Sequence, residues 1–588
     1  MTDLLEHTDI DVDAVPDGPF VVGGRVRWSW RGGLAVLAVL AVVALPVKGL
    51  YQTTGSSMEE GFMLVFPHLV QQGRIPNVDF LHLYGPGSLD VLALWYWVFG
   101  YTLEAERTFG LLQHVGIIFG MYALTRAWGR VVAVGASWIT AVLIMTPIGL
   151  SALAWHGALA LALWSIVFAV RAVCTGRNSN WFVAGLLAGI ALTFRPDAVL
   201  AIGAALLFAV WVHRATAWKP LLIGAAIGLI PMFVHLVVAG PWNGFEGIFV
   251  DPVFRLRAGR ELPRPPSWNM IDGALQAAAE GLPPWWRLPA LNASKQLFLW
   301  FFAVVIIAIA VPVIAWWQRR RGNSTPRTFV LMSAGLLGLG ILPQALQRPD
   351  STHLAWVAVV SWPLLAVAIT ELTMRHWPGR MRVAQVSGIV AVSALMFVVA
   401  PFFTYRNYLL HTRVSIGDVP LPSKVERDGR RFWYDSTVAA ALDDLILDLD
   451  ELSEPGDRIV VGPADLSRTI YSDVALYYLF PELVPATYFI EMDPGLADTA
   501  GSGLAEDIES ADWLVLTNFW TGWIEPNTSA VHRSEEANQA VADNFCLVEQ
   551  YDENLVLLYQ RCAGGGGVSP ADVPGKYPLY VDPEDLPR

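Results

Sequence analysis

Apolar residues gather into long runs between residues 33 and 403 and thin out on either side. Eleven runs reach or approach the ~20 residues that carry a helix across a hydrocarbon core. They cover 33–51, 108–125, 131–149, 155–173, 181–194, 197–213, 219–239, 296–317, 328–346, 354–373 and 382–403. The connecting segments alternate in basic content. Arg126 and Arg130, Arg171 and Arg177, Arg214 and Lys219, Arg319–Arg321 with Arg327, and Arg375, Arg380 and Arg382 mark five loops as cytoplasmic. Arg25, Arg27 and Arg31 put the N-terminus on that side too, ahead of an uncleaved first span. The short loops opposite hold only Arg195 and Arg348. An odd number of spans then leaves the C-terminal part outside.

The run Leu89–Leu103 breaks the pattern. It is apolar but short, and it carries Asp90. As a twelfth span it would turn every later basic loop outward. It is therefore expected to lie along the outer membrane surface, with Trp95, Tyr96 and Trp97 at headgroup level.

This patterning predicts a polytopic α-helical membrane protein of about eleven spans with an extracytoplasmic α/β domain. A cytoplasmic tail covers 1–32. The helical domain covers 33–403 and has two long outer loops, 52–107 and 240–295. A soluble domain follows at 404–562, then a flexible tail at 563–588. Within the soluble domain a helix is expected at about 436–453. Strands are expected at Arg458–Val461, 486–490, 512–517, 543–549 and 555–561. The last two form a hairpin about Asp552-Glu553-Asn554, with Cys546 and Cys562 placed nearly symmetrically. Outside the cytoplasm such a pair can form a disulfide; two free buried thiols are the alternative.

Composition agrees with this division. The chain has 588 residues, 54% hydrophobic and only 15% charged. Its net charge of −13 argues against a nucleic-acid partner. Neither a GxGxxG fingerprint nor a phosphate-binding loop occurs, which leaves nucleotide binding unsupported. His68, His114, His156 and His235 show no metal-ligand spacing, so no metal site is assigned; a carboxylate-held divalent cation stays open.

The spans are nearly free of charge at their centres, and charged residues collect at their outer ends. These are Glu59, Glu60 and Asp79 in the first long loop, Arg107 at the head of the second span, Arg195 and Asp197 in FRPD, and Arg348, Asp350 and His353 in QRPDSTHL. The second long loop adds Arg255, Arg257, Arg260 and Arg264 beside Pro283-Pro284-Trp285-Trp286. Ionisable groups near a membrane are costly and mark function. Their placement describes a site at the outer surface. Nucleotide sugars are made in the cytoplasm, so a glycosyl donor at such a site would have to arrive as a lipid phosphate. Glu59 or Glu60 is then a candidate base for the acceptor hydroxyl. Arg107, Arg195, Arg348 and His353 are candidates to hold the phosphate leaving group. His82, Tyr84, Asp197 and Asp350 are candidates to line the acceptor or sugar.

The stretch Ser56–Gly87, SSMEEGFMLVFPHLVQQGRIPNVDFLHLYGPG, resembles the first outer loop of the GT-C glycosyltransferases. These include the protein O-mannosyltransferases and the aminoarabinose transferase of lipid A. The resemblance rests on Glu59-Glu60, Gly73, Pro76, Asp79-Phe80 and Gly85-Pro86-Gly87, followed by the surface helix and Arg107. The family usually opens with Asp-Glu, and this chain has Glu-Glu. The resemblance implies inverting transfer from a polyprenyl-phosphate sugar to a glycan, lipid or protein acceptor, in a multi-pass protein of the plasma membrane. The first acid of the pair would be the base, and Asp79 joins it as a catalytic candidate. Two other classes compete: a flippase or transporter of lipid-linked saccharide, which needs polar groups through the bilayer depth, and a membrane-anchored scaffold that binds cell-wall material.

Overall fold

The computed structural model describes residues 29–213, 218–273, 279, 290–322, 325–377 and 380–573. Arg25, Arg27, Arg214, the Pro283–Trp286 run and the tail from 574 lie outside the described residues. The chain forms α1 (Trp30–Tyr51), α2 (Glu59–Gln71), α3 (Gly87–Phe99), α4 (Leu103–Thr125), α5 (Arg130–Ile144), α6 (Ala154–Thr175), α7 (Asn178–Phe194), α8 (Val199–His213), α9 (Trp218–Gly228), α10 (Ile230–Val238), α11 (Pro241–Phe245) and α12 (Arg257–Arg260). It continues with α13 (Ala293–Arg320), α14 (Pro326–Gly340), α15 (Leu342–Gln347), α16 (Ser351–His376), α17 (Met381–Val399) and α18 (Asn407–Ser415).

Each of the eleven predicted runs falls on helix. Among the described residues, seven helical stretches are long and apolar enough to cross a membrane, and α9 with α10 makes an eighth, bent by 41°. The other three, Arg130–Ile144, Asn178–Phe194 and Pro196–Trp211, are apolar but shorter. Polar side chains set the starts. Ser29, Thr102, Asn292 and Thr325 each accept a backbone N–H from the first turn of their helix. Small residues allow close packing between α7 and α9. A Cβ on Gly185 would sit 1.9 Å from the Leu221 carbonyl oxygen, and one on Gly228 would sit 2.4 Å from that of Leu186. This is the small-residue contact that membrane helices use.

The helix α3 has 13 residues, about 20 Å of length and too short for a ~30 Å core. It buries Leu89, Leu92 and Tyr96 and exposes Leu94, Trp97, Val98 and Phe99. That division suits a helix lying along a surface.

The C-terminal part adds a hairpin of β1 (Ser423–Arg427) and β2 (Arg430–Tyr434), then α19 (Ser436–Leu452), β3 (Arg458–Pro463), α20 (Ala475–Leu479), β4 (Val484–Pro485), α21 (Leu504–Glu509), β5 (Trp513–Thr517), α22 (Glu536–Asn544), β6 (Phe545–Tyr551) and β7 (Val556–Arg561). One sheet runs β4-β3-β5-β7-β6. The first three strands are parallel, and β7 and β6 are antiparallel. A disulfide joins Cys546 to Cys562 across β6 and β7, with Cα atoms 5.7 Å apart. The strand expected at 486–490 is not formed. The Asp507 carboxylate accepts the Thr487 hydroxyl and the Tyr488 N–H and so turns the chain, and the Tyr488 carbonyl goes to the Leu81 N–H at 2.8 Å. The β1–β2 hairpin was not foreseen.

The sheet region does not stand apart from the helices. Leu81 and Leu83 of the first long loop, and Leu256 of the second, belong to the apolar core beneath β3 and β5. The Ala475 N–H reaches the Ser57 carbonyl at 2.9 Å, and a Cβ on Gly61 would meet the Ala475 nitrogen at 2.6 Å. Thus α2 is pressed against α20. Both long loops and the sheet region close over one end of the bundle.

Candidate active site

The acidic pair at the start of α2 has two different fates. Glu60 is buried against Arg107, whose Nε and Nη2 donate to its two carboxylate oxygens at 2.7 and 2.8 Å. Nη1 of the same guanidinium donates to the carbonyls of Leu50, Tyr51 and Thr53. Arg107 therefore ties α4 to the end of α1 and the start of α2. This corrects two expectations: Glu60 is not poised as a base, and Arg107 is not free to hold a phosphate.

Glu59 lies on the other side of the helix. Its N–H donates to Ser56 Oγ at 3.2 Å, and the Ser56 hydroxyl donates to its carboxylate. Burial pushes its pKa up to about 7; its helix-end N–H, Arg260 and Arg348 pull the other way. A carboxylate that exchanges its proton near neutrality suits a general base. The geometry separates two residues that sequence alone left equivalent.

Arg260 and Arg348 act on this acid, and Arg195 lies near Arg260. Arg195 and Arg348 occupy matching corners, each ending a helix and followed by Pro-Asp. Their backbones are nearly identical, with φ −137° and ψ 89° at Arg195 and φ −138° and ψ 89° at Arg348. Proline disfavours helix in the residue before it, which explains both breaks. Arg195 donates to Asp197 at 2.8 and 2.7 Å and lies over the rings of Tyr84 and Trp155, 4.8 and 5.2 Å from their centroids. Gln344 of α15 donates to the same Asp197 at 2.7 Å, linking the two corners. Arg348 donates to Asp350 at 2.8 Å, to Glu525 at 2.8 and 2.5 Å, and to the Arg260 carbonyl at 2.8 Å. Asp350 in turn caps α16 through the His353 N–H and meets His353 Nδ1, both at 2.9 Å. Burial alone would raise the Asp350 pKa, but His353 and Arg348 hold it at about 2.

The third arginine, Arg260 of the second long loop, is ion-paired to Asp493 and lies 5.5 Å from the centroid of Tyr471. Its Nε is buried without a hydrogen-bond partner among the described residues. Arg348 is engaged at every nitrogen, so Arg260 is better placed than Arg348 to meet an incoming anion.

The sheet region completes the site. It supplies Glu525, Asp493, Glu491 and Tyr471, none of which sequence reasoning singled out. Glu491 is buried, with Oε1 unpartnered. Burial, then Asp493 beside it, raises its pKa well above the ordinary value. Two non-glycine residues with positive φ, Tyr471 at 118° and Met492 at 55°, bring these side chains in. Such backbone strain gathers at functional sites. The one local signal was the acidic cluster Glu491-Met492-Asp493 before Pro494-Gly495.

Two further expectations change. Asp79 sits beyond the far end of α2, accepting the Ile75 N–H at 2.6 Å and pairing with Arg74. It closes a turn, and no contact places it with Glu59. His82 is buried between Phe66 and Tyr84, with ring centroids 5.8 Å from each. Burial drives its pKa down to about 3, so the ring is neutral and supports Tyr84 from behind. Among the described residues, no three His, Cys, Asp or Glu side chains are grouped to hold a metal ion.

No family model matches this sequence, and no curated protein does. Solved structures resemble the chain at low sequence identity. The chain is similar to ArnT from Cupriavidus metallidurans bound to undecaprenyl phosphate, at 12% identity and a TM-score of 0.47, covering 90% of this chain and 98% of that one. It is also similar to the apo oligosaccharyltransferase of Archaeoglobus fulgidus, at 13% identity and a TM-score of 0.48, covering 88% and 73%. A third is AglB of the same organism in complex with an inhibitory peptide and a dolichol-phosphate, at 13% identity and 0.43, covering 93% and 75%.

Proposed function

We propose that this chain is a membrane glycosyltransferase of the GT-C kind. It moves a sugar from a polyprenyl-phosphate donor to an acceptor hydroxyl at the outer face of the plasma membrane, in the building of a cell-envelope glycan or glycoconjugate. The reading rests on one observation: a half-buried carboxylate with its pKa pushed up to about 7, Glu59, stands beside Arg260 and Arg348 where the helical bundle meets its sheet region. In the proposed step Glu59 takes the acceptor proton and the acceptor oxygen bonds to the anomeric carbon. The bond from that carbon to the phosphate oxygen breaks, and the electron pair leaves with the lipid phosphate. Arg260 and Arg195 meet the charge that develops on the phosphate, while Arg348 holds the frame. Tyr84, partly exposed beneath Arg195, offers a ring to the sugar or the first prenyl unit, with Trp155 buried behind the same guanidinium.

The test is transfer from a polyprenyl-phosphate sugar by the purified chain in lipid. Glu59→Gln should lower turnover about 10²- to 10⁴-fold with the fold intact. Turnover unchanged in that variant would remove the mechanism.

A second reading, transport of a lipid-linked saccharide, draws on buried polar groups inside the bundle. The rings of His114 and His156 meet edge to face with centroids 4.4 Å apart, and Gln113 and one oxygen of Glu106 have no partner among the described residues. Movement of labelled lipid-linked sugar across vesicles without transfer would favour it.

A further inference from the structure

A cavity of about 610 Å³ lies outside the candidate active site, in the sheet region. That volume falls within the ~300–1,000 Å³ of small-molecule sites. Its position follows from topology. The chain leaves β3 through α20 to β4 on one side, then returns through α21 to β5 on the other side of β3. The two crossovers diverge, and the carboxyl ends of β3 and β5 flank the gap between them. In open α/β sheets this is where ligands bind. Ala464, Asp465 and Arg468 line it from just after β3, and Asn518, Thr521 and Gly522 from just after β5.

Its chemistry narrows the ligand. A phosphate at such a crevice is normally held by a glycine-rich turn opening a helix. Here the next helix, α20, has five residues and starts well past the strand. The lining carries one carboxylate, Asp465, and one guanidinium, Arg468, so no net charge selects an ion. Asp465 and Ser467 fix Nδ1 of His532, at 3.0 and 3.1 Å, which leaves Nε2 as that ring's remaining polar atom. The Thr521 hydroxyl donates to Asn518 Oδ1 at 2.7 Å and keeps its lone pairs. Opposite this polar rim stand Ile524, Pro570, Ala571 and Val573. A rim of donors and acceptors facing an aliphatic wall matches a sugar ring, with its C–H faces and hydroxyl edge.

The crevice also shares a wall with the candidate active site. Ile524 faces the cavity, and its neighbour Glu525 pairs with Arg348. Arg468 donates to the Thr521 carbonyl in the same segment. We propose that this crevice is a binding site for an uncharged saccharide and holds the part of the acceptor glycan remote from the reacting hydroxyl. The acceptor role rests on the transferase reading; saccharide binding stands without it.

Binding is tested on the full chain in nanodiscs by saturation-transfer NMR, with maltotriose, cellotriose, mannobiose, galactobiose and arabinobiose as probes. Ile524→Trp and Ala571→Trp fill the cavity from exposed positions, and thermal unfolding checks that each variant folds. The expected result is saturable binding of at least one probe, weakened tenfold or more in the folded filling variants and unchanged in Glu59→Gln. The proposal is overturned if no probe binds the unaltered chain, if binding survives both filling variants, or if Glu59→Gln abolishes it. Intact binding in a chain that shows no transfer would remove the transferase reading and leave the saccharide site standing.

Discussion

Arg107 grips Glu60 with both edges of its guanidinium, at 2.7 and 2.8 Å, and spends its remaining nitrogen on three carbonyls at the end of α1 and just beyond. Both side chains are at most 2% exposed. Removing one partner of such a pair leaves a buried charge uncompensated, at a cost of about 3–5 kcal/mol. Glu60→Gln is therefore expected to lower stability sharply, seen as a fall in Tm. Any loss of activity should track the unfolded fraction. Glu59→Gln should do the reverse, with Tm held and turnover lost. Equal Tm in the two variants would contradict this division of labour.

The pH dependence follows from Glu59. Its carboxyl must be ionised to accept a proton, and its pKa stands at about 7. The logarithm of kcat/KM should rise with unit slope below about pH 7 and level off above it. Stability should move the opposite way. The unfolded chain releases this proton near 4.5 and the folded protein near 7. Between those values the folded state holds more protons, so this group's contribution to stability falls as pH rises. Glu59→Gln should lack that decline. A flat rate profile from pH 5 to 8 would rule out Glu59 as the base.

Arg348 and Glu525 join the helical bundle to the sheet region across 177 residues of chain, both nearly fully buried. The same arginine is a neighbour of Glu59. Glu525→Ala should leave Arg348 half-paired, loosen the segment around Trp523, and raise KM for the acceptor more than it lowers kcat. Hydrogen exchange should quicken in residues 518–533 while the amides of α16 stay protected. If exchange is unchanged, the contact is not holding the two parts together.

The membrane-embedded fold was legible because apolar length and loop charge are local properties. The corners at Arg195-Pro196-Asp197 and Arg348-Pro349-Asp350 were legible for the same reason, since proline and a carboxylate two positions on dictate them. What stayed hidden were contacts between distant segments. Nothing near Arg260 announces Asp493, which lies 233 residues away. Nothing in Glu59-Glu60 says which acid Arg107 will take, because that depends on how α2 rotates against α4. Asp79 misled for a related reason: the chain turns back after α2, and Asp79 is taken up in closing that turn with Ile75 and Arg74.

The disulfide between Cys546 and Cys562 offers a test of sidedness. It closes a loop of 16 residues, for which chain entropy gives about 3 kcal/mol. The bond persists only in an oxidising compartment. If the sheet region faces the outside, as the transferase reading requires, the protein taken from cells under alkylating, non-reducing conditions should show both cysteines blocked to thiol reagents, with Cys174 alone reacting. Cys546→Ser should lower Tm, and reductant should lower the Tm of the unaltered chain to match while leaving that of the variant unmoved. Two free thiols in freshly isolated membranes would place the sheet region in the cytoplasm. The site around Glu59 would then face nucleotide sugars instead of lipid-linked ones.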